Sequence, residues 1–434
     1  MRHILLVAAV LLAAAPPAGA AGGVHRVPVR AAGDHGVNYA AVSGSGRYAL
    51  YTTPANAEAT DEPTSVHVRD LVTGRDDLVA EDVEPNTSYS RHSISDDGRY
   101  VVFSRWVPRK HGDPTWGVFL RDRLRRTTVR VDTSARGAKG DGWWTPAGIS
   151  ADGSTVSFES RCEDESLDTR VCSLWVYDVA RRRARLVATR AVDSAVPMTL
   201  SRDGRYLAFV SNATLGRDDR RPSHCDNDVY LADLRTGRIE IVTGAVPGAV
   251  ASSAGPGEEC ESGEWFGAPV VDATGRRVLF NALRYDGTGG HAEGLWVHDR
   301  ALGWTFRIDQ PAVSVSGAGL GGDLSADGRY AVYWALYAAG GTGPNPAGAS
   351  AVLRVRVDDL DRERLDPPDA AHPCTANGCA TTDVLMAAAT APGGALAFPY
   401  PSVGNDGRTV AWADTRRLTA DDTDNRSDLY LWSA

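Results

Sequence analysis

The sequence lacks an excess of positive charge, which argues against one large class of partners. Its 434 residues include 46 Lys and Arg against 55 Asp and Glu, so the formal net charge is −9 at pH 7. Only two of the basic residues are lysines, and we ascribe this arginine bias to a GC-rich genome rather than to function. Because binding to nucleic acid requires a basic face, the acidic balance argues against a DNA or RNA partner.

No apolar run approaches the length of a membrane span. The longest, residues 4–15, is too short to cross a bilayer and follows a short basic start. The small residues 18–20 come next, as they do before the cleavage site of a secretory signal peptide. We therefore expect residues 1–20 to be removed on export. Residues 21–434 are then expected to form one secreted domain, a monomer without a membrane anchor.

The CxxC pairs typical of structural zinc sites are also absent, so disulfides are the expected state of the six cysteines in an oxidising compartment. Six cysteines allow fifteen pairings. Proximity along the chain favours three of them: Cys162 with Cys172, Cys225 with Cys260, and Cys374 with Cys379.

What the sequence does contain is one phrase repeated seven times. Each copy has Ser or a replacement, two residues that usually include Asp, then Gly, a usually basic residue and an apolar strand, as in LSRDGRYLAF. The copies begin at Val42, Ile94, Ile149, Leu200, Val271, Leu324 and Val403. A unit that returns at intervals of roughly 50 to 80 residues indicates a repeat architecture.

The fourth copy shows the whole unit. A short strand A over residues 195–204 ends in an Asp-Gly hairpin turn, and strand B follows at residues 205–210. Strands C and D are residues 228–234 and 238–243. Strand B is apolar at consecutive positions, so both of its faces must be covered. Four-stranded antiparallel blades stacked around an axis meet that requirement.

These motifs resemble a known family. The run SxDGRyvaF, followed by a VYvxDL strand and an RxxxVT strand, is similar to the TolB-like (PD40, WD40-like) β-propeller repeat, and the resemblance covers almost all of the mature chain. It implies an all-β fold, a seven-bladed β-propeller. Such propellers serve as binding modules, as domains attached to peptidases and occasionally as enzymes, so the motif indicates fold more than function.

The seventh copy lacks a fourth strand. It supplies strands A, B and C, the last at residues 428–432, whereas residues 24–29 resemble a strand D with no strands before it. We predict that residues 24–29 complete the seventh blade and so remove an exposed sheet edge.

The connections between strands sort onto two faces of the disc. The A–B and C–D turns lie on one face, here called the turn face, and the B–C and D–A connections lie on the other, the long-loop face. The sequence predicts that all C–D turns are short. It predicts six long segments, all on the long-loop face, and every cysteine lies in one of them. The six segments are residues 105–115, 161–172, 211–227, 244–265, 336–349 and 366–396. Because binding residues usually lie in loops on a rigid scaffold, we expect the functional surface there. The alternative is that these segments are insertions held only by disulfides.

The candidate binding residues fall into two groups. Acidic side chains would attract a cationic partner or a hard metal, or else only keep the loops solvated; they are Glu163, Asp164, Glu165, Glu259 and Glu261. Tryptophans would offer flat faces to sugars, or else fill gaps between blades; they are Trp116, Trp143, Trp144 and Trp265.

Evidence for catalytic or metal chemistry is weaker. Asp422, Asp424 and Asp428 are spaced so that they could offer oxygens to calcium. Arg426 and Trp432, however, stand where an EF-hand loop has Gly and Glu, so an Asx turn is the alternative. No GxSxG motif occurs, and seven blades leave no room for a hydrolase domain. We assign no catalytic residue, metal ligand or cofactor, with calcium kept open.

The sequence therefore predicts a non-enzymatic module that binds an extracytoplasmic protein, or a carbohydrate, through its long-loop face. The alternative is a carbohydrate-active or metal-assisted enzyme with its site at the mouth of the central channel. Some pectin-degrading lyases are seven-bladed propellers with several metal-binding histidines near that channel. Here only His92 falls on a predicted strand A.

Overall fold

The structure is a computed structural model that confirms an all-β, seven-bladed propeller. It describes residues 23–29, 36–37, 39–53, 64–83, 93–108, 115–135, 144–160, 163–166, 169–192, 198–211, 215, 227–243, 262–286, 291–308, 313–314, 322–337, 350–358, 382–386, 401–423 and 426–434. In each blade, neighbouring strands pair in an antiparallel way, and we call them A to D from the central axis outward. Within the described residues, no helix is long and apolar enough to cross a membrane.

The first four blades follow the chain in order. Blade 1 consists of Tyr39–Val42, Tyr48–Thr53, Ser65–Asp70 and Asp76–Glu81. Blade 2 consists of Ser93–Ile94, Tyr100–Val107, Thr115–Asp122 and Thr127–Arg130, followed by a 3-10 turn at Asp132–Ser134. Blade 3 consists of Trp144–Ile149, Thr155–Ser160, Thr169–Asp178 and Arg183–Val192, with an added strand Glu163–Ser166 beside strand C. Blade 4 consists of Thr199–Leu200, Tyr206–Ser211, Asp228–Asp233 and Ile239–Ile241.

The last three blades include the closure of the ring. Blade 5 consists of Ser262–Val271, Arg277–Asp286, His291–Asp299 and Trp304–Arg307. Blade 6 has strand A in two pieces, Val313–Ser314 and Asp323–Leu324, then Tyr330–Tyr337, Ser350–Arg356 and Thr382–Met386. Blade 7 consists of Ser402–Val403, Thr409–Asp414, Asp428–Ser433 and, as its strand D, Gly23–Val27.

The predicted closure of blade 7 by the N-terminal segment is confirmed. Gly23–Val27 pairs antiparallel with strand C of the blade, from Gly23 opposite Ser433 to Val27 opposite Leu429. A salt bridge from Arg26 to Asp428 (2.9 Å) reinforces the pairing. Two segments from opposite ends of the sequence therefore share one sheet.

Apolar clusters fill each of the seven gaps between neighbouring blades. In blade 4, strand B contributes to two of them. Leu207 and Phe209 pack toward blade 3, whereas Tyr206, Ala208 and Val210 pack toward blade 5. This double burial is the reason that strand B is apolar at consecutive positions, as its sequence predicts.

The prediction that all C–D turns are short is wrong for blade 6. Strand D of that blade is Thr382–Met386, with Thr382 opposite Val355 of strand C, so residues 357–381 form the C–D connection. Cys374 and Cys379 belong by sequence to this connection, which leaves from the turn face and not from the long-loop face. The sequence misleads here because TDVLM lacks the RxxxVT pattern of a strand D.

In blades 2, 3, 4 and 6 the repeated phrase builds the same closed set of hydrogen bonds in the A–B turn. In blade 4, the N–H of Tyr206 donates to Ser201 Oγ (2.8 Å), and Ser201 in turn donates to Asp203. Asp203 also accepts the N–H of Arg205 (3.0 Å). The fourth residue, Gly204, has a left-handed backbone (φ 71°), which glycine adopts without strain.

The basic residue of the phrase ties the A–B turn to the C–D turn of the same blade. Arg205 forms a salt bridge with Asp233 at the end of strand C (2.7 Å), and Asp233 also accepts the N–H groups of Arg235 and Thr236. The Arg205 guanidinium and these N–H groups hold the pKa of Asp233 well below its usual range. Equivalent pairs join Arg47 to Asp70, Arg99 to Asp122 and Arg276 to Asp299.

Candidate functional site at the central channel

The central channel is the concave site that all seven blades share. Residues of the seven strands A and their A–B turns surround a cavity of about 130 Å³. Tyr39, Asp323 and Arg202 are among the polar side chains in its wall. The inner edges of the strands A face this cavity, so their backbone N–H and C=O groups need partners other than a neighbouring strand.

Side chains from adjacent blades supply some of those partners. Asp323 accepts the N–H of Val403 in the next blade (2.9 Å). Thr199 donates to the carbonyl of Pro269 in the next blade (2.8 Å), and Ser402 accepts an N–H from blade 1 (3.3 Å). Polar residues on strands A therefore join one blade to the next and also line the cavity.

In each copy of the repeated phrase, the residue that follows the Ser or its replacement lies at the turn-face end of the channel. We call it the second position, counting from the Ser. From blade 1 to blade 7 it is occupied by Gly44, Asp96, Ala151, Arg202, Ala273, Ala326 and Asn405. Arg202 forms an ion pair with Asp96, and the Asn405 amide donates to the other oxygen of the same carboxylate. Because blades 2, 4 and 7 are not neighbours in the ring, these contacts must cross the channel. They form a polar plug, by which we mean Asp96, Arg202 and Asn405.

Gly44 leaves the space that the polar plug occupies. A Cβ atom at this position would lie 2.2 Å from both Arg202 Nη2 and Asn405 Oδ1, and 2.3 Å from Asp96 Oδ1. The backbone of the same ring of residues is also linked between blades: Asn405 N–H donates to the Gly44 carbonyl (2.8 Å) and Asp96 N–H to the Ala151 carbonyl (2.9 Å). The absence of a side chain at Gly44 and these backbone hydrogen bonds both bring the blades close to one another at the turn-face end of the channel.

The plug places an arginine in a poorly solvated position. Burial lowers the pKa of Arg202, and the Asp323 carboxylate partly opposes that effect. A guanidinium nevertheless stays protonated in proteins, so Arg202 carries a full positive charge at the floor of the cavity. Its side chain keeps 24% of its surface exposed. The site thus combines one cation with the carboxylates of Asp96 and Asp323, a set suited to polar contacts rather than to a purely apolar ligand.

The other end of the channel is flanked by projecting strands. In blade 3, strands C and D continue beyond the disc as a paired ribbon that reaches Arg170 opposite Val192. The added strand Glu163–Ser166 pairs with this extension of strand C. In blade 5, strands A and B extend in the same way, as far as Ser262 opposite Asp286. Both extensions leave from the ends opposite the turns. They therefore stand on the long-loop face, on either side of blade 4.

The structure places several predicted binding residues on or near these extensions. Trp144 and Trp265 lie in strands A of blades 3 and 5, and Glu163, Asp164 and Glu165 form most of the added strand of blade 3. Their backbone is described, whereas their side chains are not. Trp143, Glu259 and Glu261 lie outside the described residues. A binding role for all of these residues stays a prediction.

Trp116 is the one predicted tryptophan whose side chain is described. It lies in strand C of blade 2 and is buried, with its ring centroid 4.1 Å from that of Trp106. Trp106 is 39% exposed, so the outer partner of this pair faces solvent. A sugar platform at this position would therefore use Trp106, supported from below by Trp116.

Two of the three predicted calcium ligands contact protein groups. Asp422 accepts the Tyr430 hydroxyl, and burial together with this contact raises the pKa of Tyr430. Asp428 pairs with Arg26 (2.9 Å), and Asp424 lies outside the described residues. Within the described ranges, no three His, Cys, Asp or Glu side chains group in a way that could hold a metal ion. Calcium binding stays a prediction.

Of the six cysteines, only Cys172 lies among the described residues, in strand C of blade 3. The residues just inside the first predicted disulfide face each other, since Glu163 pairs with Val171. The other five, Cys162, Cys225, Cys260, Cys374 and Cys379, lie outside the described residues.

Sequence reasoning missed the polar plug. The position after the Ser or its replacement varies from copy to copy and is not predicted to bind anything, yet its change from Gly to Asp, Arg and Asn is the available signal. In a repeat protein, one position that carries different polar residues in different copies marks a place where the copies meet.

Comparison with known proteins agrees with the fold. No protein-family model matches the chain, and no curated protein matches it. An oligogalacturonate lyase solved in complex with manganese is 12% identical, with 94% of this chain and 92% of that chain covered and a TM-score of 0.54. An oligogalacturonate lyase from Vibrio parahaemolyticus is 11% identical, with 94% of this chain and 93% of that chain covered and a TM-score of 0.54. The β-propeller domain of the Trilobed protease from Pyrococcus furiosus is 11% identical, with 92% of this chain and 95% of that chain covered and a TM-score of 0.51.

The chain shares their β-propeller fold. Identities this low carry no information on activity.

Proposed function

We propose that this protein is a TolB-like propeller that acts as a non-enzymatic binding module and holds a partner protein against its long-loop face. The observation that carries the proposal is the projection of blades 3 and 5 beyond the disc on that face. The two paired-strand extensions stand on a rigid scaffold on either side of blade 4, and we propose that a protein segment binds in a cleft between these two walls.

The plug supports the same direction of approach. Asp96, Arg202 and Asn405 occupy the turn-face end of the channel, so a segment that reaches the cavity would enter from the long-loop end. The acidic run at Glu163–Ser166 lies in one wall of the cleft. A partner segment with positive charge would complement it.

Export and disulfides are part of the proposal. The leader-like residues 1–20 support secretion, with residues 21–434 as one mature domain, a monomer in the extracytoplasmic space. The pairing of Glu163 with Val171 supports a disulfide between Cys162 and Cys172, the residues that flank them. Such a bond would link the added strand Glu163–Ser166 covalently to strand C in the wall of blade 3.

Site-specific crosslinking in the producing culture tests the proposed face. A photo-crosslinking residue is placed at Ser166 and, separately, at Asp286, one on each wall of the cleft. Matched controls carry it at Thr236 or Arg408, both exposed on the turn face. We expect both wall positions to capture the same extracytoplasmic protein, and we expect purified partner to bind the purified propeller.

Two results would contradict the proposal. Capture of that protein from the turn-face positions would move the interface to the other face. Turnover of oligogalacturonate by the purified protein, with manganese added, would show instead that the alternative of a carbohydrate-active enzyme is correct.

A further inference from the structure

The C–D turns of blades 2 and 3 contain an arginine where blades 1, 4 and 5 have glycine. In blades 1, 4 and 5 the fifth residue of the turn is left-handed and is Gly74, Gly237 or Gly303, with φ of 70°, 75° and 66°. In blades 2 and 3 the same position holds Arg126 (φ 56°) and Arg182 (φ 52°). A left-handed backbone disfavours every L side chain, so both arginines occupy a conformation that glycine would adopt without strain.

Neither composition nor local pairing accounts for these arginines. Glycine is abundant in the chain, with 45 residues, so it was available at both positions. Within the described part of the chain, neither the Arg126 nor the Arg182 side chain forms a salt bridge with a carboxylate. A strained residue with no structural benefit points to a role outside the fold.

The surrounding residues make these turns a concentrated basic patch. In a chain whose net charge is −9, residues 121–130 contain five arginines and residues 178–185 contain four. Two of the nine, Arg123 and Arg130, pair with Asp77 and Asp132, and the others lie in or beside the two turns. Arg125 and Arg181 pair with Asp122 and Asp178, yet their side chains remain 73% and 81% exposed. The two turns belong to neighbouring blades and lie on the same turn face.

Exposed aliphatic side chains lie among the arginines. Leu124 at the tip of the blade 2 turn is 75% exposed, and Leu186 on strand D of blade 3 is 48% exposed. The two blades also contact each other here, since the N–H of Ala184 donates to Ser134 Oγ (3.1 Å). The patch therefore combines exposed arginines with exposed leucines, at the tip of the blade 2 turn and beside the blade 3 turn.

We propose that the C–D turns of blades 2 and 3 form a docking patch for an anionic membrane surface. Arginines bind lipid phosphates by paired, charge-assisted hydrogen bonds, and each basic residue near such a surface adds to the attraction. Aliphatic side chains between them enter the boundary between headgroups and acyl chains. A single-stranded nucleic acid would instead favour a groove with aromatic stacking platforms. Docking in this orientation presents the long-loop face away from the bilayer, independently of what that face binds.

Vesicle co-sedimentation tests the patch with a variant that should not harm the fold. The wild type is expected to bind phosphatidylcholine vesicles that contain phosphatidylglycerol, to ignore pure phosphatidylcholine, and to be released by salt. The double variant Arg126→Gly/Arg182→Gly introduces the residue found at this position in blades 1, 4 and 5. We expect its affinity for the anionic vesicles to fall about tenfold or more, while its melting temperature stays equal or rises.

Two further variants complete the design. Leu124→Ser keeps every charge and is expected to weaken binding to the same vesicles. Arg408→Gln, which removes an arginine 74% exposed on the turn of blade 7, should bind as the wild type does. Equal binding by the double glycine variant would overturn the proposal. A wild type that ignores the vesicles but binds DNA or an anionic polysaccharide would overturn it as well, because the patch would then serve another polyanion.

Discussion

At the scale of the residue, Gly98 shows why the repeated phrase is so constant. Its backbone is left-handed (φ 69°), and a Cβ atom there would lie 2.3 Å from Cδ2 of Tyr48 in the preceding blade. The same contact joins Tyr100 to Gly153 and Tyr330 to Gly407. The tyrosine of one blade therefore covers the glycine of the next, and the phrase encodes contacts between blades as well as a turn.

A pair of alanine substitutions separates these two roles. Gly237 is also left-handed (φ 75°), but no atom lies within 4 Å of the position its Cβ would take. Gly237→Ala should therefore lower the free energy of unfolding by roughly 1–2 kcal/mol, the cost of the backbone conformation alone. Gly98→Ala should cost roughly 1–3 kcal/mol more, because Tyr48 must also move. Urea unfolding of both variants measures the difference, and equal losses would show that the tyrosine contact contributes nothing.

Blade 5 shows that the phrase preserves interactions and not identities. Asp272 replaces the usual serine and accepts the N–H groups of Thr274, Arg276 and Arg277 at 2.9–3.0 Å. Arg277 replaces the usual tyrosine, is 2% exposed, and donates to Asp299 and to the carbonyl of the next blade's turn glycine. One carboxylate thus performs the work of the serine and aspartate together.

The ion pair of the polar plug should be measurable by a double-mutant cycle. Arg202→Met leaves the Asp96 carboxylate poorly solvated and uncompensated, so we expect a loss of about 3 kcal/mol in the free energy of unfolding. In Asp96→Asn/Arg202→Met both charges are absent, so the double variant should lose clearly less than the sum of the single variants. Additive losses would mean that the two side chains do not interact across the channel.

At the scale of the element, the N-terminal strand is the one that closes the ring. Val27 is buried against Leu429 and Leu431, and Val24 packs into the gap between blades 6 and 7. Without this strand, strand C of blade 7 would present an unpaired edge over its whole length. A strand of five residues therefore affects the stability of a ring of seven blades.

Deletion of residues 21–30 tests this closure. We expect the free energy of unfolding to fall by roughly 3 kcal/mol or more, since the buried Val27, the half-buried Val24 and Val29 and a ladder of backbone hydrogen bonds are lost. The matched control replaces Arg26 with Gln, which removes the Asp428 salt bridge and keeps the strand; it should cost less than about 1 kcal/mol. Thermal unfolding compares the three proteins, and a deletion variant with the parental melting temperature would contradict the role given to the strand.

At the scale of the whole molecule, the salt bridges between repeat arginines and strand C aspartates predict a common response to acid. The pKa of Asp122 is lowered by Arg99, and Asp233 behaves in the same way. For Asp70, burial alone would raise the pKa, but Arg47 and two backbone N–H groups outweigh it and lower the pKa to about 2. A carboxyl with a lowered pKa stabilises the fold above its unfolded value near 3.9.

The stability of the protein should therefore fall as the pH drops from about 4 toward 2, the interval between the unfolded and folded pKa values. Urea midpoints measured across this range would show the decline. Asp233→Asn should start with lower stability at neutral pH and lose less on acidification, because one of the responsible groups is absent. If this variant shows the same decline as the wild type, the arginine-paired aspartates are not the cause.

Features that depend on local chemistry can be predicted from the amino-acid sequence of this protein. The Asp-Gly turns, the doubly apolar strands B and the seven-fold period follow from residues close together in the chain. They predict the blades and a closing strand at residues 24–29, which the structure places at Gly23–Val27. The same local rules failed at Thr382–Met386, because that strand is recognised by its pairing with Val355 and not by its own pattern.

Contacts between residues of different blades, in contrast, depend on how the blades are arranged in space. Asp96, Arg202 and Asn405 lie far apart in the sequence, and their contact exists because seven blades converge on one axis. The left-handed turns at Arg126 and Arg182 and the gathering of arginine on one rim of an acidic protein likewise depend on backbone conformation and position in space. A linear pattern carries propensities of single segments, whereas distance between segments is set by the packing of the whole ring.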